Sequence, residues 1–402
     1  MSLVGWGRAA MQGDAVVSTP ELPETQPVRI PELDGLRGVA ILLVILMHYF
    51  YDPAPGMPKH FAWFQDIFAL GWSGVDLFFV LSGFLIGGIL LDHRDSRSYF
   101  KTFYLRRFFR IIPIYYSWIV LFIVFILVAG PVLRTRTNSG ILPALNFDIY
   151  LHFFFLQNLW SVTYVKIAYW WFSPTWSLAV EEQFYLVVPF LVRYLARRRL
   201  PALLAGVIVL APLLRILVRA LVLQDGVAWA AYRLMPCRAD ALAIGILAAY
   251  FWRLPAFRRQ LVAKSRAFYA VFGALLAAVL VIWVRYPNPN DAFTQSAGYS
   301  ILAFFYCALL LISIALTGGP IARFMRLRFL RELGRVSYCM YLIHTAVGYV
   351  CFGLLTHRII HFTGWRSGCV GLLSIAVTYG VARLSWRFLE QPMLHHGHLY
   401  KY

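Results

Sequence analysis

Long apolar runs separated by short basic segments make up most of the chain. Most of these runs reach the roughly 17–25 residues that a helix needs to cross a bilayer, and we count ten of them. The predicted spans are about 36–52, 68–91, 111–130, 175–195, 201–223, 236–252, 267–284, 297–317, 334–356 and 366–386. An apolar run at 149–160 is too short to span and fits a re-entrant or interfacial helix. The pattern therefore predicts an all-α fold, a polytopic membrane helix bundle.

Composition and charge favour a membrane protein over several soluble domains. Of the 402 residues, 60% are hydrophobic and 14% are charged, against about 25% charged in soluble domains. The net charge of +19 comes from basic residues between the apolar runs. We expect these residues to set topology and to contact anionic lipids at the cytoplasmic face, and we expect no nucleic-acid binding. With the N-terminus inside, the inner loops carry 20 lysines and arginines and the outer loops carry 8, which predicts that both termini are cytoplasmic.

The two ends of the chain differ from the apolar body. Residues 1–29 hold prolines, small polar residues and no long apolar run, which is typical of a disordered cytoplasmic arm. We assign 30–394 to one transmembrane domain and 395–402 to a short cytoplasmic tail. No basic segment leads directly into a short apolar stretch with a small-residue cleavage site, so we expect no cleaved signal peptide.

The first span carries two ionisable side chains, which are costly inside a bilayer and are therefore candidates for function. Arg37 lies near its start and His48 deep inside it, about 16 Å apart along a helix. Asp76, on the second span, reaches a similar depth to His48. It either orients the histidine or pairs with a buried arginine. Arg107 and Arg110 share one helix face at the inner end of the third span and suit either a phosphate ligand or lipid headgroups.

Further polar residues mark the other spans. Glu181 and Glu182 are adjacent and cannot both face one partner, so we expect one to face a pocket and the other an arginine such as Arg238. Arg238 and Asp240 read as a second buried charge pair, and Glu390 could pair with Arg37 or the Arg107 guanidinium. The remaining pocket candidates are Ser82, Trp176, Arg238, Asp240, Tyr338, Tyr341 and His344. Among them, His344 could equally be a hydrogen-bonded core residue, and the sequence has no spacing typical of metal ligands.

Seven motifs, in order along the chain, resemble those of the acyltransferase family 3 membrane proteins, which move acyl groups, usually acetyl, onto hydroxyls of glycans and related molecules. The motifs are LDGLRG followed by the histidine, GVDLFFVLSGFLI, RxxR, PTWSLAVEEQFYL, RADALAIG, LGRVSYCMYLIH and WRFLEQP. They extend from about residue 33 to 392. Some family members carry an extra C-terminal hydrolase-like domain, and we expect this chain to lack one.

The resemblance implies specific roles for matching residues. His48 corresponds to the proposed catalytic histidine, and Arg37 to the arginine paired with it in the motif. Arg107 and Arg110 fall on the arginine pair thought to contact coenzyme A. Glu181 matches the glutamate of the ExxFY motif. The donor would be acetyl-CoA or another acyl-CoA, no metal is implied, and direct transfer and an acyl-enzyme intermediate both stay open.

These observations predict an O-acyltransferase in a bacterial cytoplasmic membrane. Acyl-CoA would dock at the arginine pair, and its pantetheine arm, roughly 15–20 Å long, would reach His48 about 18 Å from the inner face. His48 would act as general base on an acceptor hydroxyl. Acceptor candidates are O-antigen or exopolysaccharide sugars, a glycolipid or a macrolide-like metabolite. A transporter or flippase is one alternative function, although no internal repeat is seen; an acyl-CoA-binding scaffold is another. The oligomeric state stays open.

Overall fold

The structure is a computed structural model that describes residues 30–51, 59–136, 148–160, 169–221, 229–357, 360 and 362–402. Throughout these ranges the regular structure is helical, with no β-strand. The predicted arm at 1–29 lies outside the described residues. In chain order the α-helices are α1 (Pro31–Phe50), α2 (Lys59–Asp66), α3 (Gly74–Asp92), α4 (Tyr99–Arg136), α5 (Asp148–Phe153), α6 (Gln157–Trp160), α7 (Tyr169–Phe172), α8 (Thr175–Tyr194), α9 (Leu200–Leu221), α10 (Ala230–Arg233), α11 (Met235–Trp252), α12 (Pro255–Ala263), α13 (Ser265–Arg285), α14 (Tyr299–Ala315), α15 (Pro320–Met325), α16 (Arg328–Thr356), α17 (Trp365–Ser385) and α18 (Gln391–His398).

The predicted helix bundle is confirmed. In the described part of the chain, nine helical segments are long and apolar enough to cross a membrane, and they coincide with nine of the ten predicted spans. The tenth predicted span, 175–195, is also helical as α8, but three consecutive polar residues, Glu181 to Gln183, make it less apolar than the other nine. The short run at 149–160 forms the short helices α5 and α6. The protein is therefore a multi-pass membrane protein.

The core is built on helix pairs that approach very closely. α1 packs most extensively against α16, and α3 packs against α11. At Gly38 and Gly334, the backbones of α1 and α16 lie so close together that a Cβ would not fit. The same is true at Gly83 and Gly245, where the backbones of α3 and α11 meet. Small residues at membrane helix interfaces permit such approach. This close packing fixes α1 and α3, the two helices that carry the first predicted site residues.

Peripheral helices have the opposite burial pattern. Only 17% of the apolar window of α9 and 11% of that of α13 is buried, against 78% for the window in Trp63–Asp92. The exposed side chains of α9 and α13 are large and apolar, for example Leu217 and Val284. Such surfaces suit contact with lipid. The inner helices α1, α3, α8 and α16, together with α4, are therefore the ones that can enclose a site.

The third helix begins earlier than predicted. α4 starts at Tyr99 and runs for 38 residues, whereas the apolar pattern marked only 111–130. The pattern detects the part of a helix that suits a membrane interior, and it misses a polar extension. This extension places Arg106, Arg107 and Arg110 on regular helix rather than on a loop, and α18 packs against it.

Candidate active site

A cavity of about 370 Å³ lies between α1, α3, α4, α8, α16 and α18. One end of its lining carries a set of basic residues, named here the basic mouth: Arg37, Arg106, Arg107, Arg110 and His398. In the described part of the chain, Glu181 is the single acidic residue in the lining. The cavity therefore has a strongly cationic end, as expected for a site that receives an anionic ligand. The predicted pair Arg107 and Arg110 is confirmed as part of one pocket surface.

The middle of the cavity holds a hydrogen-bonded cluster of three side chains. Ser82 Oγ lies 2.5 Å from the hydroxyl oxygen of Tyr185. That hydroxyl lies 3.4 Å from Glu181 Oε2, to which it can donate. Glu181 is thus the one of the two adjacent glutamates that faces the pocket, as the helix argument predicts. Tyr185 was not predicted as a site residue, although its position four residues after Glu181 places both on one helix face.

Two aromatic side chains of α16 line the cavity. Tyr338 lines it and donates its hydroxyl to the Ile111 carbonyl at 3.1 Å. One turn further, the Tyr341 hydroxyl lies 2.7 Å from Ser177 Oγ, and its ring meets the edge of Phe78 with centroids 5.8 Å apart. The predicted alignment of these tyrosines on one face is confirmed. Tyr341 therefore bridges α16 to α8 where the cavity ends.

His48 lies in contact with a second histidine. Its Nδ1 is 2.8 Å from the Val44 carbonyl and 3.4 Å from His344 Nε2. The His344 Nδ1 is in turn 2.7 Å from the Tyr341 carbonyl. A carbonyl oxygen only accepts, so both Nδ1 atoms carry hydrogen. His344 Nε2 is then an acceptor for His48 Nδ1–H, and His48 Nε2 keeps its lone pair and is available as a base.

The histidine pair lies just beyond the closed end of the cavity. The His344 ring centroid is 5.8 Å from that of Tyr341 and 4.8 Å from that of His48. His344 is fully buried, whereas His48 is half-buried. Neither histidine lines the cavity. Tyr341 is thus the cavity residue whose ring lies beside His344, and His344 in turn contacts His48.

Arg37 and Glu390 do not form the ion pair that the sequence analysis allowed. Arg37 Nη1 donates to Asp34 Oδ1 at 3.2 Å, three residues earlier on α1. Both carboxylate oxygens of Glu390 are buried and make no hydrogen bond within the described residues. Arg110 is the basic residue that acts on Glu390 electrostatically. The helix geometry of α1 favours Asp34, because side chains three positions apart are neighbours.

Asp76 pairs with an arginine, which was one of its two predicted roles. Arg238 Nη2 donates to Asp76 Oδ1 at 2.6 Å, and both side chains are fully buried. The Arg238 guanidinium also lies over the Tyr299 ring at 4.1 Å. The prediction that a glutamate of α8 faces Arg238 is therefore wrong. Asp76 is held against Arg238, and the described partners of His48 are Val44 and His344.

The predicted pair between Arg238 and Asp240 is also wrong. Two residues apart on a helix, these side chains point in different directions. Asp240 Oδ2 instead accepts from Arg215 Nη1 at 2.9 Å and from Ser300 Oγ at 2.6 Å. Arg215 further donates to the carbonyls of Cys237 and Gln295. We name Asp76, Arg238, Arg215 and Asp240 the closed charge cluster; no residue of it lines the cavity.

Trp176 belongs to the surroundings of the closed charge cluster rather than to the cavity. Its ring lies 4.5 Å from that of Tyr232 and 6.2 Å from that of Phe79. Both neighbours lie within 6 Å of the Arg238 guanidinium. Trp176 is buried and is not part of the cavity lining. Trp176 therefore lies outside this cavity, because its helix turns this side chain toward α3 and α10.

Known relatives of the chain are acetyltransferases. Peptidoglycan O-acetyltransferase OatA of Listeria monocytogenes is 28% identical over 381 residues, which cover 92% of this chain and 56% of that protein. O-acetyltransferase OatA of Staphylococcus aureus is 26% identical over 380 residues, covering 92% and 58%. Putative peptidoglycan O-acetyltransferase YrhL of Bacillus subtilis is 29% identical over 382 residues, covering 92% and 55%. The chain thus spans a little over half the length of these curated relatives. No solved structure matches it.

The family assignment rests on a match along most of the chain. The family model described as "Acyltransferase domain" matches residues 30–383, which include α1 and its His48, the basic residues of α4, Glu181 of α8 and His344 of α16. The matched region therefore contains the histidine pair and most of the cavity lining, while the lining residues of α18 lie beyond it. The chain is a member of the acyltransferase 3 family of membrane proteins.

Proposed function

We propose that the protein is an O-acetyltransferase that moves an acetyl group from acetyl-CoA to a hydroxyl of a cell-wall glycan. Family membership supports acyl transfer, and two of the relatives above are named for peptidoglycan. The observation that carries the proposal is a cavity with a cationic mouth whose other end abuts a histidine pair. The excess of basic residues in alternate loops supports a cytoplasmic basic mouth in a bacterial cytoplasmic membrane.

The donor enters the cavity at the basic mouth. Coenzyme A carries a pyrophosphate and a separate 3′-phosphate at one end and the thioester at the other. Arg107 and Arg110 line the mouth together with Arg37, and guanidinium groups bind phosphate oxygens in pairs of parallel hydrogen bonds. The pantetheine arm then lies along the apolar residues of α3, such as Ile86 and Leu85. This orientation brings the thioester toward Tyr341.

The chemistry requires a base for the acceptor hydroxyl. His48 Nε2 takes the hydroxyl proton as the acceptor oxygen bonds to the thioester carbonyl carbon. The tetrahedral species then breaks its carbon–sulfur bond, and the leaving sulfur takes the proton from His48. The products are the acetyl ester and free coenzyme A. The buried surroundings of the pair limit attack by water on the thioester.

His344 stabilises the form of His48 that arises during the reaction. When His48 Nε2 gains a proton, the ring becomes a cation and its Nδ1–H becomes a stronger donor. Val44 O and His344 Nε2 are already placed to accept from that hydrogen. The hydrogen bond from His344 Nδ1–H to the Tyr341 carbonyl fixes the tautomer that leaves Nε2 as acceptor. His344 is thus a positioning residue for the base.

Tyr341 must move for the thioester to meet His48. Its hydroxyl contact with Ser177 and its ring contact with Phe78 close the cavity. Rotation of this one side chain joins the cavity to the histidine pair. Closure before the acceptor arrives would protect the thioester from water. The half-buried position of His48 leaves the acceptor a route from the other side of Tyr341.

The proposal is tested with purified protein in lipid nanodiscs. Acetyl-CoA labelled in the acetyl group is incubated with glycan fragments of peptidoglycan, and ester-linked label is measured by mass spectrometry. An acyltransferase yields label on the glycan and free coenzyme A in equal amounts. A scaffold subunit binds acetyl-CoA and releases neither product, and a transporter moves its substrate without acetyl loss. Failure to acetylate any glycan hydroxyl, with donor bound, would contradict the acceptor class.

A further inference from the structure

The C-terminal residues of the described chain form one wall of the basic mouth. Leu394, Gly397 and His398 line the cavity beside the arginines of α4. A Cβ at position 397 would come within 3.1 Å of the Phe109 Cβ, which is a tight contact. The glycine therefore lets α18 lie directly against α4. This wall has no role in the donor contacts assigned to Arg107 and Arg110.

The segment after α18 holds Arg106 in place. The Arg106 Nε donates to the Tyr400 carbonyl at 2.9 Å, and its guanidinium lies 5.0 Å from the centre of the Tyr402 ring. The Lys401 carbonyl accepts from Thr102 Oγ1 at 2.8 Å. An arginine has five N–H donors, and Tyr400 occupies one of them. The guanidinium is thus oriented by the tail and still has donors for an anion.

The arginines of α4 that belong to the basic mouth lie at different levels along the helix. Arg106 comes first in the helix, and Arg110 follows about one turn later. His398 is exposed at the rim, next to Gly397, whose Cβ position is 3.8 Å from the Arg106 Cα. A donor that enters thioester first would leave its pyrophosphate near Arg107 and Arg110. Its remaining phosphate would then lie beside Arg106 and His398.

We propose that His398 and Arg106 form a subsite for the 3′-phosphate of the coenzyme A nucleotide. The tail from 399 to 402 sets the orientation of Arg106 within this subsite. The inference rests on the proposed use of acyl-CoA as donor. The subsite would let the enzyme discriminate between donors. A donor without the 3′-phosphate, or an acyl group on a simple pantetheine, lacks the group that His398 and Arg106 bind.

The experiment uses a matched pair of histidines on α18. His398 lines the cavity, whereas His395 is exposed on the same short helix and does not line it. The variants His398→Glu and His395→Glu place the same charge on the same helix. The purified full chain is titrated with coenzyme A and with dephospho-coenzyme A by calorimetry. His398→Gln, which is uncharged, serves as a milder second variant, and melting temperatures report folding.

The wild-type protein should bind coenzyme A more tightly than dephospho-coenzyme A. His398→Gln should weaken coenzyme A binding about two- to fivefold, the scale of an exposed ionic contact, and His398→Glu should weaken it more. Neither variant should change the affinity for dephospho-coenzyme A by as much. His395→Glu should keep the wild-type preference for coenzyme A.

Three results would overturn the subsite. They are equal wild-type affinity for the two ligands, equal weakening of both ligands by His398→Glu, and the same loss with His395→Glu. The last would indicate a general effect of surface charge. Failure of the proposed donor itself looks different, because the wild-type protein would then bind neither ligand.

Discussion

Two groups of charged residues lie inside this bundle, and they differ both in access and in charge balance. The closed charge cluster pairs each of its acids with an arginine, and Arg215, Arg238, Asp76 and Asp240 are at most 1% exposed. The cavity that carries the basic mouth has one acid, Glu181, among its lining residues in the described ranges. The charges of the closed charge cluster are balanced within the protein, whereas an excess of one charge in a cavity lining attracts a ligand of opposite charge. The comparison separates residues that hold the helices together from residues that bind.

The largest effect should come from breaking the closed charge cluster. Arg238→Ala leaves Asp76 as a buried charge without its partner, which costs about 3–5 kcal/mol of folding stability. Chemical denaturation in detergent measures this loss. The double variant Asp76→Leu with Arg238→Met removes both charges and should recover most of the stability. A single variant as stable as wild type would show that the pair does not hold α3 against α11.

The basic mouth should respond in affinity and not in stability. Arg110→Ala removes charge-assisted contacts to phosphate that are worth about 1.5–3 kcal/mol, which is roughly a tenfold or greater rise in Kd for coenzyme A. Calorimetry gives the affinity, and a melting curve provides the control. An unchanged Kd would mean that Arg110 serves only topology or lipid contact. A large decrease in the melting temperature would show that Arg110 contributes to folding stability, as the closed charge cluster does.

His344 tests whether the histidine pair belongs to catalysis. His344→Ala removes one of the two acceptors for His48 Nδ1–H and leaves the Val44 carbonyl. Loss of one such hydrogen bond should lower kcat about three- to tenfold. KM for acetyl-CoA should stay the same, because His344 does not line the cavity. His344→Gln offers a carbonyl acceptor and should restore part of the rate. A purely structural histidine would lower stability in both variants and leave kcat per folded molecule unchanged.

The salt concentration should have the smallest effect, and it tests the difference in solvent access between the basic mouth and the closed charge cluster without a mutation. Raising the ionic strength shortens the Debye length from about 10 Å at 0.1 M to about 3 Å at 1 M. Coenzyme A binding at the open mouth should weaken by about two- to fivefold across this range. The stability difference between wild type and Arg238→Ala should not change, because that pair is shielded from solvent. Salt-independent donor binding would argue against an electrostatic mouth.

The helical bundle was largely predictable, because the length of an apolar run indicates whether it forms a helix that can cross a membrane. Nine predicted spans coincide with apolar helices of the described chain. The start of α4 was not predictable in this way, since its first turns are polar and lie outside the apolar pattern. Helix geometry predicted that one of the two adjacent glutamates faces the pocket, and the resemblance to the ExxFY motif indicated Glu181. Periodicity thus identifies the face of a helix on which a residue lies.

Partners on other helices could not be predicted from the same pattern. Asp240 pairs with Arg215, 25 positions earlier, and Asp76 with Arg238, 162 positions later. Arg215 itself was read as part of an apolar span. These pairings depend on which helices become neighbours, and that is decided by close packing such as Gly83 against α11. Sequence analysis therefore identified most of the buried charged residues but assigned several of them to the wrong partners.

We propose His48 as the base that acts on the acceptor, and acetyl transfer by His48→Ala and His48→Gln tests this role directly. Both variants should bind coenzyme A with wild-type affinity and melt near the wild-type temperature. The transfer rate should fall by about 10²–10⁴, the usual contribution of a general base. A well-folded His48→Ala protein that transfers acetyl at the normal rate would contradict the account.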